Sequence, residues 1–199
     1  GKSGSGKSSL LHVLAGLIDP ESGSVRVGET DLSSLTRSAA ALYRRRRCGV
    51  IFQSFNLLDM LSVAENVAFP LGLDGISQRE TTARVDDLLD EVGLRERRDD
   101  FPDQLSGGEQ QRIAIARALA IRPDVVLADE PTGNLDSESG IRIWMLLRDL
   151  SRKHGTTTLM LTHDPDATAY VNRVVELRDG RIVADTGALP ELGSGRGAE

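Results

Sequence analysis

The fold of this chain is decided by its first nine residues, Gly1-Lys2-Ser3-Gly4-Ser5-Gly6-Lys7-Ser8-Ser9. They match the phosphate-binding P-loop, in which glycines let backbone N–H groups curl around a phosphate without a Cβ clash. Lys7 can reach the β- and γ-phosphates of a nucleotide, and the Ser8 hydroxyl can bind Mg²⁺. Apolar residues then recur at helical spacing, which favours a P-loop and its helix over a flexible linker: Leu10, Val13, Leu14 and Leu17.

The position of this loop in the chain leads to a separate expectation. A P-loop is normally entered from a central strand of its sheet, and this sequence begins on the loop itself. Without a central strand, its neighbours would have backbone groups that lack ladder partners. We therefore interpret the sequence as a fragment of a longer reading frame, truncated at its N-terminus, and expect the isolated chain to be unstable or to bind ATP poorly.

The composition is that of a globular protein that can bury a core. The chain has 199 residues, of which 39% are hydrophobic and 27% charged. Its formal net charge of −6 argues against a nucleic-acid-binding protein, and we interpret the basic run at 44–47 as a solvated or phosphate-near patch. The single cysteine, Cys48, cannot form an internal disulfide, which fits a reducing cytosol. No apolar run approaches the ~20 residues that span a bilayer, so a membrane role would need a partner.

Three apolar or β-branched runs are predicted to be strands, and polar residues follow each of them. The runs are 49–52, followed by Gln53; 125–128, followed by Asp129 and Glu130; and 157–162, followed by His163. Ligands bind at the carboxyl edge of open parallel sheets, so these polar residues are candidates for a common site. Downstream of a P-loop, the acidic pair matches a Walker B strand: Asp129 would hold Mg²⁺, and Glu130 would orient or deprotonate an attacking water.

Between Ser54 and about Asp103 the pattern becomes helical, with Val85, Leu88, Leu89 and Val92 on one face. We interpret this region as a helical subdomain inserted between two strands of the core. Its front end carries a group of apolar residues: Phe52, Phe55, Leu57, Leu58, Met60, Leu61 and Phe69. They are either ordinary subdomain core or, for a subset, an apolar groove that accepts a partner's helix.

The next helix is predicted to begin after Ser106, within Leu105-Ser106-Gly107-Gly108-Glu109. Ser106 can cap the helix, and the two glycines allow close approach to an anion. Farther along, a helix is predicted to end at Gly155, and a hairpin is predicted around Asp179-Gly180.

Taken together, these motifs resemble an ABC-type ATPase cassette over essentially the whole chain. The P-loop, Gln53, the 105–109 signature, the acidic pair, Asp136 and His163 occur in that family's order and rough spacing. The resemblance implies an α/β fold: a P-loop NTPase with a RecA-like parallel sheet core, an inserted helical subdomain and part of an antiparallel β subdomain. Residues 1–53 and 104–190 would form the catalytic core, 54–103 the helical subdomain and 191–199 a flexible tail.

The resemblance also implies the cofactors ATP and Mg²⁺ and a homodimer of cassettes that sandwiches two ATP molecules. Residues 1–9 would bind the nucleotide, with Ser8, Gln53 and Asp129 at the metal. Glu130 would be the general base, His163 would contact the γ-phosphate and the water, and Gln53 would sense both water and Mg²⁺. From the partner cassette, the signature residues would grip the same γ-phosphate, and Asp136 would cross the interface.

Finer motifs resemble the ATPases of the macrolide-export and lipoprotein-release group: 132–136, 52–58 and Glu65-Asn66-Val67. This implies an ATP-hydrolysing subunit that powers export or extraction of lipoproteins or lipids, peripheral on the cytoplasmic face of the plasma membrane, with a permease docked between Phe55 and Phe69. The alternative is a regulatory cassette of the cell-division type, which activates cell-wall hydrolases through a membrane partner without transport. A cassette acting on DNA or the ribosome is disfavoured, because there is one cassette here and no sustained heptad pattern.

Overall fold

The computed structural model describes residues 6–187; the predictions for residues 1–5 and for the tail at 191–199 lie outside them. The helices are Lys7–Leu14 (α1), Arg37–Arg47 (α2), Val63–Leu73 (α3), Gln78–Glu91 (α4), Gly107–Ala120 (α5) and Ser137–His154 (α6). The strands are Arg26–Val27 (β1), Thr30–Asp31 (β2), Cys48–Ile51 (β3), Val125–Asp129 (β4), Thr157–Leu161 (β5), Val175–Arg178 (β6) and Arg181–Asp185 (β7). Among residues 6–187, no helix is both long enough and apolar enough to cross a bilayer.

The centre of the fold is a parallel sheet in which β4 lies between β3 and β5. Alternate residues of β4 enter different apolar clusters, Val126 and Ala128 one cluster, Val125 and Leu127 the other. This alternation places a packed core on each face of the sheet. All three strands end at the same edge, as the sequence predicts.

Two antiparallel hairpins flank this sheet, β1 with β2 and β6 with β7. The predicted turn between β6 and β7 is confirmed, since Asp179 and Gly180 have φ angles of 49° and 73°. Two successive positive φ angles are the requirement of a tight hairpin turn, and Asp-Gly is a favoured pair for it.

Helix α5 lies unusually close to β3. A Cβ built on Gly49 would lie only 2.5 Å from the carbonyl oxygen of Ala118, so only glycine allows this approach. On its other side α5 packs against α3 and α4, and their residues share one apolar cluster with Ile51 of β3. The predicted helical face of α4 is confirmed, because Val85, Leu88 and Leu89 are buried. The division of the chain into a core and a helical subdomain stays a prediction.

The basic run at 44–47 agrees with the solvated patch of the sequence-based interpretation, because Arg45, Arg46 and Arg47 are exposed. Each arginine of the run also has a partner within the chain. Arg44 donates to the carbonyl oxygen of Gly16 at 2.5 Å. Arg45 and Arg46 both pair with Asp74, at the end of α3, and Arg47 pairs with Asp124. The run therefore links α2 to other elements at the protein surface.

Candidate active site

Glu130 and His163 follow neighbouring strands and meet beyond the carboxyl edge of the sheet. Oε1 of Glu130 lies 2.9 Å from Nδ1 of His163. The carboxylate is 20% exposed and the imidazole 71%, so the pair opens to solvent on the histidine side. The backbone N–H of Glu130 donates to the carbonyl of Leu161 at 2.9 Å, which ties this turn to the end of β5.

The backbone of Glu130 has a φ angle of 45°, in the left-handed region that residues with a side chain rarely adopt. Strain of this kind persists where the surrounding structure enforces it, and it is concentrated at functional sites. Here the turn directs the Glu130 carboxylate to His163 immediately after the buried strand β4.

Asp129, at the end of β4, lies in a mixed electrostatic environment. Burial raises the pKa of its carboxyl group, and the nearby Glu130 carboxylate raises that pKa further. His12 and Lys7, both on α1, oppose the increase. Helix α1 contacts β4, so this helix lies beside the strand that carries Asp129.

The described part of the P-loop fits a nucleotide phosphate. Gly6 has a φ angle of 91°, which glycine adopts without a Cβ penalty, and it immediately precedes α1. Gly6 has no side chain to cap the helix, whose positive end faces the loop. A carboxylate from Asp129 and a hydroxyl from Ser8 are oxygen ligands of the type that Mg²⁺ prefers. The residues present therefore suit ATP with Mg²⁺.

Gln53 reaches across from β3 to the loop that follows Glu130. Its Nε2 donates to Oδ1 of Asn134 at 3.1 Å, and Nδ2 of Asn134 donates to the carbonyl of Gln53 at 3.1 Å. A Cβ on Gly133 would lie 2.6 Å from Nε2 of Gln53, so this pairing depends on glycine there. Sequence reasoning missed the contacts of Gln53 with Asn134 and Gly133, although both residues belong to the 132–136 motif that it singled out.

Ser106 caps α5, as predicted, in a reciprocal arrangement with Glu109. The Ser106 side chain accepts from the N–H of Glu109, while the Ser106 N–H and hydroxyl both donate to the Glu109 carboxylate, at 2.8 and 2.6 Å. These hydrogen bonds from Ser106 hold the pKa of Glu109 below its usual range. This capping box satisfies donors that the first turn would otherwise leave without a partner.

Asp136 caps α6 with its side chain alone, accepting from the N–H of Ser139 at 2.9 Å. Hydrogen bonds from Ser139 lower the pKa of Asp136. The two helix starts are neighbours, because a Cβ on Gly108 would lie 3.6 Å from the Ser139 hydroxyl. Within residues 6–187, no hydrogen bond or ion pair joins the 105–109 signature to Glu130 or His163.

The apolar residues at the front of the helical region divide into two groups. Phe52, Phe55, Leu57 and Leu61 are partly covered, and Leu57 packs against the main apolar cluster. Met60 and Phe69 are 84% and 46% exposed, and Leu58 is also exposed. The first group is partly covered by the rest of the chain, whereas the second leaves an apolar surface.

The comparisons with known proteins agree with this geometry. A family model described as ABC transporter matches residues 1–133. An uncharacterized ABC transporter ATP-binding protein of Mycobacterium tuberculosis is 48% identical over 183 residues, which are 92% of this chain and 74% of that protein. The lipoprotein-releasing system ATP-binding protein LolD 1 of Rhodospirillum rubrum is 46% identical over 184 residues, 92% of this chain and 81% of that protein. The macrolide export ATP-binding/permease protein MacB of Neisseria meningitidis is 44% identical over 192 residues, 96% of this chain but 30% of that longer protein.

Solved structures extend the similarity to the fold. A dimeric, post-hydrolysis ATP-binding cassette bound to ADP and Pi has a TM-score of 0.81 at 37% identity, covering 92% of this chain and 81% of that one. CbiO1 from Clostridium perfringens, part of an ABC transporter complex, has a TM-score of 0.86 at 30% identity, covering 93% and 74%. This chain therefore belongs to the ABC transporter family, as an ATP-hydrolysing cassette with a P-loop NTPase fold.

Proposed function

We propose that this chain works in a pair of cassettes that hydrolyse ATP to drive export, or extraction of lipoproteins or lipids, through a separate membrane permease. The observation that carries the proposal is the Glu130–His163 pair beside Asp129 and the start of α1. The similarity to LolD and MacB supports the type of transport. In this role the chain is a peripheral subunit on the cytoplasmic face of the membrane, and the exposed surface of Leu58, Met60 and Phe69 contacts the permease.

The P-loop residues 1–9 hold the phosphates of ATP, and Lys7 contributes a cation at the β- and γ-phosphates. Ser8, Asp129 and Gln53 hold Mg²⁺, which neutralises phosphate charge when it is bound. The raised pKa of Asp129 reflects burial and the Glu130 charge, so a nearby cation favours its ionised form.

Glu130 acts on the attacking water. It accepts a proton as the water oxygen bonds to the γ-phosphorus and the bond from that phosphorus to the ADP oxygen breaks. His163 uses Nδ1 to hold the Glu130 carboxylate, which leaves Nε2 for the γ-phosphate. Gln53, held by Asn134, contributes its amide group to the same water and metal.

The signature works on the ATP bound to the second cassette. Ser106, Gly107 and Gly108 present the positive end of α5 to the γ-phosphate held by the partner's P-loop. Asp136, at the neighbouring helix start, reaches the same interface. The dimeric state of the similar cassette bound to ADP and Pi supports this arrangement.

Glu130→Gln tests the proposal directly. Removing the base should lower turnover by ~10²–10⁴-fold while ATP still binds, so paired cassettes with trapped ATP should accumulate. Phosphate release measures the first effect and gel filtration with ATP the second. Turnover near the wild-type rate would remove Glu130 from this role.

A further inference from the structure

The loop that follows Gln53 contains two successive residues in the left-handed conformation. Phe55 has a φ angle of 61° and Asn56 a φ angle of 52°. Asparagine tolerates this conformation, whereas phenylalanine rarely adopts it, so the backbone at Phe55 requires support from its surroundings. Local hydrogen bonds supply part of that support, since the N–H of Asn56 donates to the carbonyl of Ser54 at 2.6 Å.

The remaining support comes from Arg117 on α5. Its Nη1 donates to the carbonyl oxygen of Asn56 at 2.6 Å, and its Nη2 donates to that of Phe55 at 2.9 Å. The rigid guanidinium fork thus binds the carbonyl groups of both left-handed residues at once, which the single ammonium group of a lysine cannot reproduce. Arg117 is partly buried, and this burial lowers the pKa of its guanidinium group.

The Phe55 side chain reaches the opposite end of the same helix. A Cβ on Gly107 would lie 3.6 Å from Cζ of Phe55 and 3.3 Å from Cδ2 of Leu135. The phenyl ring therefore lies against the first residue of α5 and beside the loop that leads to Asp136. Gly107 and Arg117 are about 15 Å apart along the helix axis at 1.5 Å per residue, so Phe55 bridges the two through its ring and its carbonyl.

Both flanks of this loop are also held in place. Before it, Gln53 pairs with Asn134. After it, the fully buried Asn66 side chain accepts from the N–H of Leu58 and donates to the carbonyl oxygens of Leu58, Leu61 and Ser62. The segment that contains Phe55 and Asn56 is therefore constrained by hydrogen bonds on both sides.

We infer that Arg117 is a positioning residue that couples the Gln53 loop to the signature of the same chain. By holding the carbonyl groups of Phe55 and Asn56, it keeps the Phe55 ring against Gly107. This inference rests on the proposed function, because the position of Gly107 matters for turnover only if the signature acts on ATP. The nucleotide sensed by Gln53 in one cassette would then influence the signature that the same cassette offers to the partner's ATP.

Arg84 provides a matched control. Its guanidinium donates to the carbonyl oxygens of Leu119 at 2.9 Å and Ala120 at 3.4 Å, so it too binds two carbonyls and joins a second element to α5. Burial lowers the pKa of Arg84, as it does for Arg117. Arg84 comes from α4 and binds the last residues of α5, away from the Gln53 loop.

The experiment compares Arg117→Lys with Arg84→Lys in the intact protein. Arg117→Lys should lower kcat at least about tenfold and reduce the Hill coefficient for ATP, because a small displacement at a catalytic contact has a large effect on rate. Affinity for a non-hydrolysable ATP analogue should stay within about twofold, since the P-loop is unchanged. Arg84→Lys should keep kcat and the Hill coefficient, while it lowers the melting temperature about as much as Arg117→Lys does. Equal kcat losses in the two variants, or none in Arg117→Lys, would overturn the inference.

Phe55→Ala separates coupling from a general loss of structure, because it removes the ring and retains the carbonyl that Arg117 binds. If the two residues form one linkage, the double variant should be no slower than Arg117→Lys alone. If the fold-loss of kcat in the double variant equals the product of the losses in the two single variants, the residues act independently and the linkage is refuted. Glu130→Gln, measured in the same assay, tests the proposed function itself. If Glu130→Gln lowers kcat strongly while Arg117→Lys and Arg84→Lys lose kcat equally, the coupling is refuted and the proposed function stands.

Discussion

At its first turn α5 is held by its own Ser106–Glu109 capping box, whereas its last turn is held by Arg84 and by close packing on Gly49. The first arrangement is local and exposed, so its hydrogen bonds can be exchanged for bonds to a ligand. In the second arrangement the backbone of α5 at Ala118 packs directly against Gly49 of β3, and both residues are buried. The difference shows how one helix can be anchored rigidly at one end and still keep an adaptable end, which in the proposed dimer would face the second cassette.

The largest effect is expected at the anchored end, from Gly49→Ala. The new Cβ would lie 2.5 Å from the carbonyl oxygen of Ala118, and neither backbone can move without disturbing the sheet. We expect a loss of about 3 kcal/mol in the free energy of unfolding, measured by urea denaturation. Gly72→Ala is the control, because Gly72 lies in α3, where an added Cβ would meet open space, and this variant should lose no stability. Equal stability of both variants would show that the end of α5 is not anchored by this contact.

A substitution at the first turn of α5 should affect the pairing of cassettes more than the stability of the fold. Ser106→Arg should weaken ATP-dependent pairing of cassettes by about 2 kcal/mol, roughly 30-fold in the dissociation constant, because in the proposed dimer a bulky cation would replace the group that meets the partner's ATP. Sedimentation with ATP measures this effect. Ser77→Arg is the matched control, since the Ser77 side chain also caps its helix, α4, and its hydroxyl also donates to the carboxylate three residues later, that of Glu80. If both variants weaken pairing equally, the signature has no special place in assembly.

The smallest effect concerns the charge of Glu109. Its pKa is lower in the folded protein, so the carboxylate stabilises the fold above its ordinary pKa and this contribution disappears as the pH falls through the folded-state pKa. Glu109→Gln can keep the capping geometry but has no charge to interact with the helix dipole. The variant should be less stable by about 0.5 kcal/mol at pH 7, with the difference from wild type shrinking in acid. Unfolding of the variant and the wild type measured at pH 7 and at acidic pH checks this. A stability difference that stays constant between the two conditions would contradict it.

Much of this architecture was predictable because it depends on short-range patterns. Apolar runs of a few residues predict buried strands, and each predicted strand of the sheet is present. A serine followed three residues later by glutamate predicts a helix start, as at Ser106. The resemblance of six ordered motifs was sufficient to predict the family.

The supporting contacts of the site were not predictable in this way. Gln53 and Asn134 are 81 positions apart, and Arg117 and Asn56 are 61 apart. The left-handed backbone at Glu130 and Phe55 has no sequence signal either, because neither residue type favours it. The partners of the arginine run at 44–47 were not predictable for the same reason, because Gly16, Asp74 and Asp124 come from distant segments.

Residue types and their spacing alone predict the phosphate-binding loop, the parallel strands, the helix caps and a set of polar residues at strand ends. These features arise from backbone geometry and side-chain chemistry over a few neighbouring residues. Only the packed molecule decides that Glu130 pairs with His163, that Gln53 pairs with Asn134 and that Phe55 lies against Gly107. Such pairs are selected by close packing of elements far apart in the chain, where displacements of an ångström determine which groups meet.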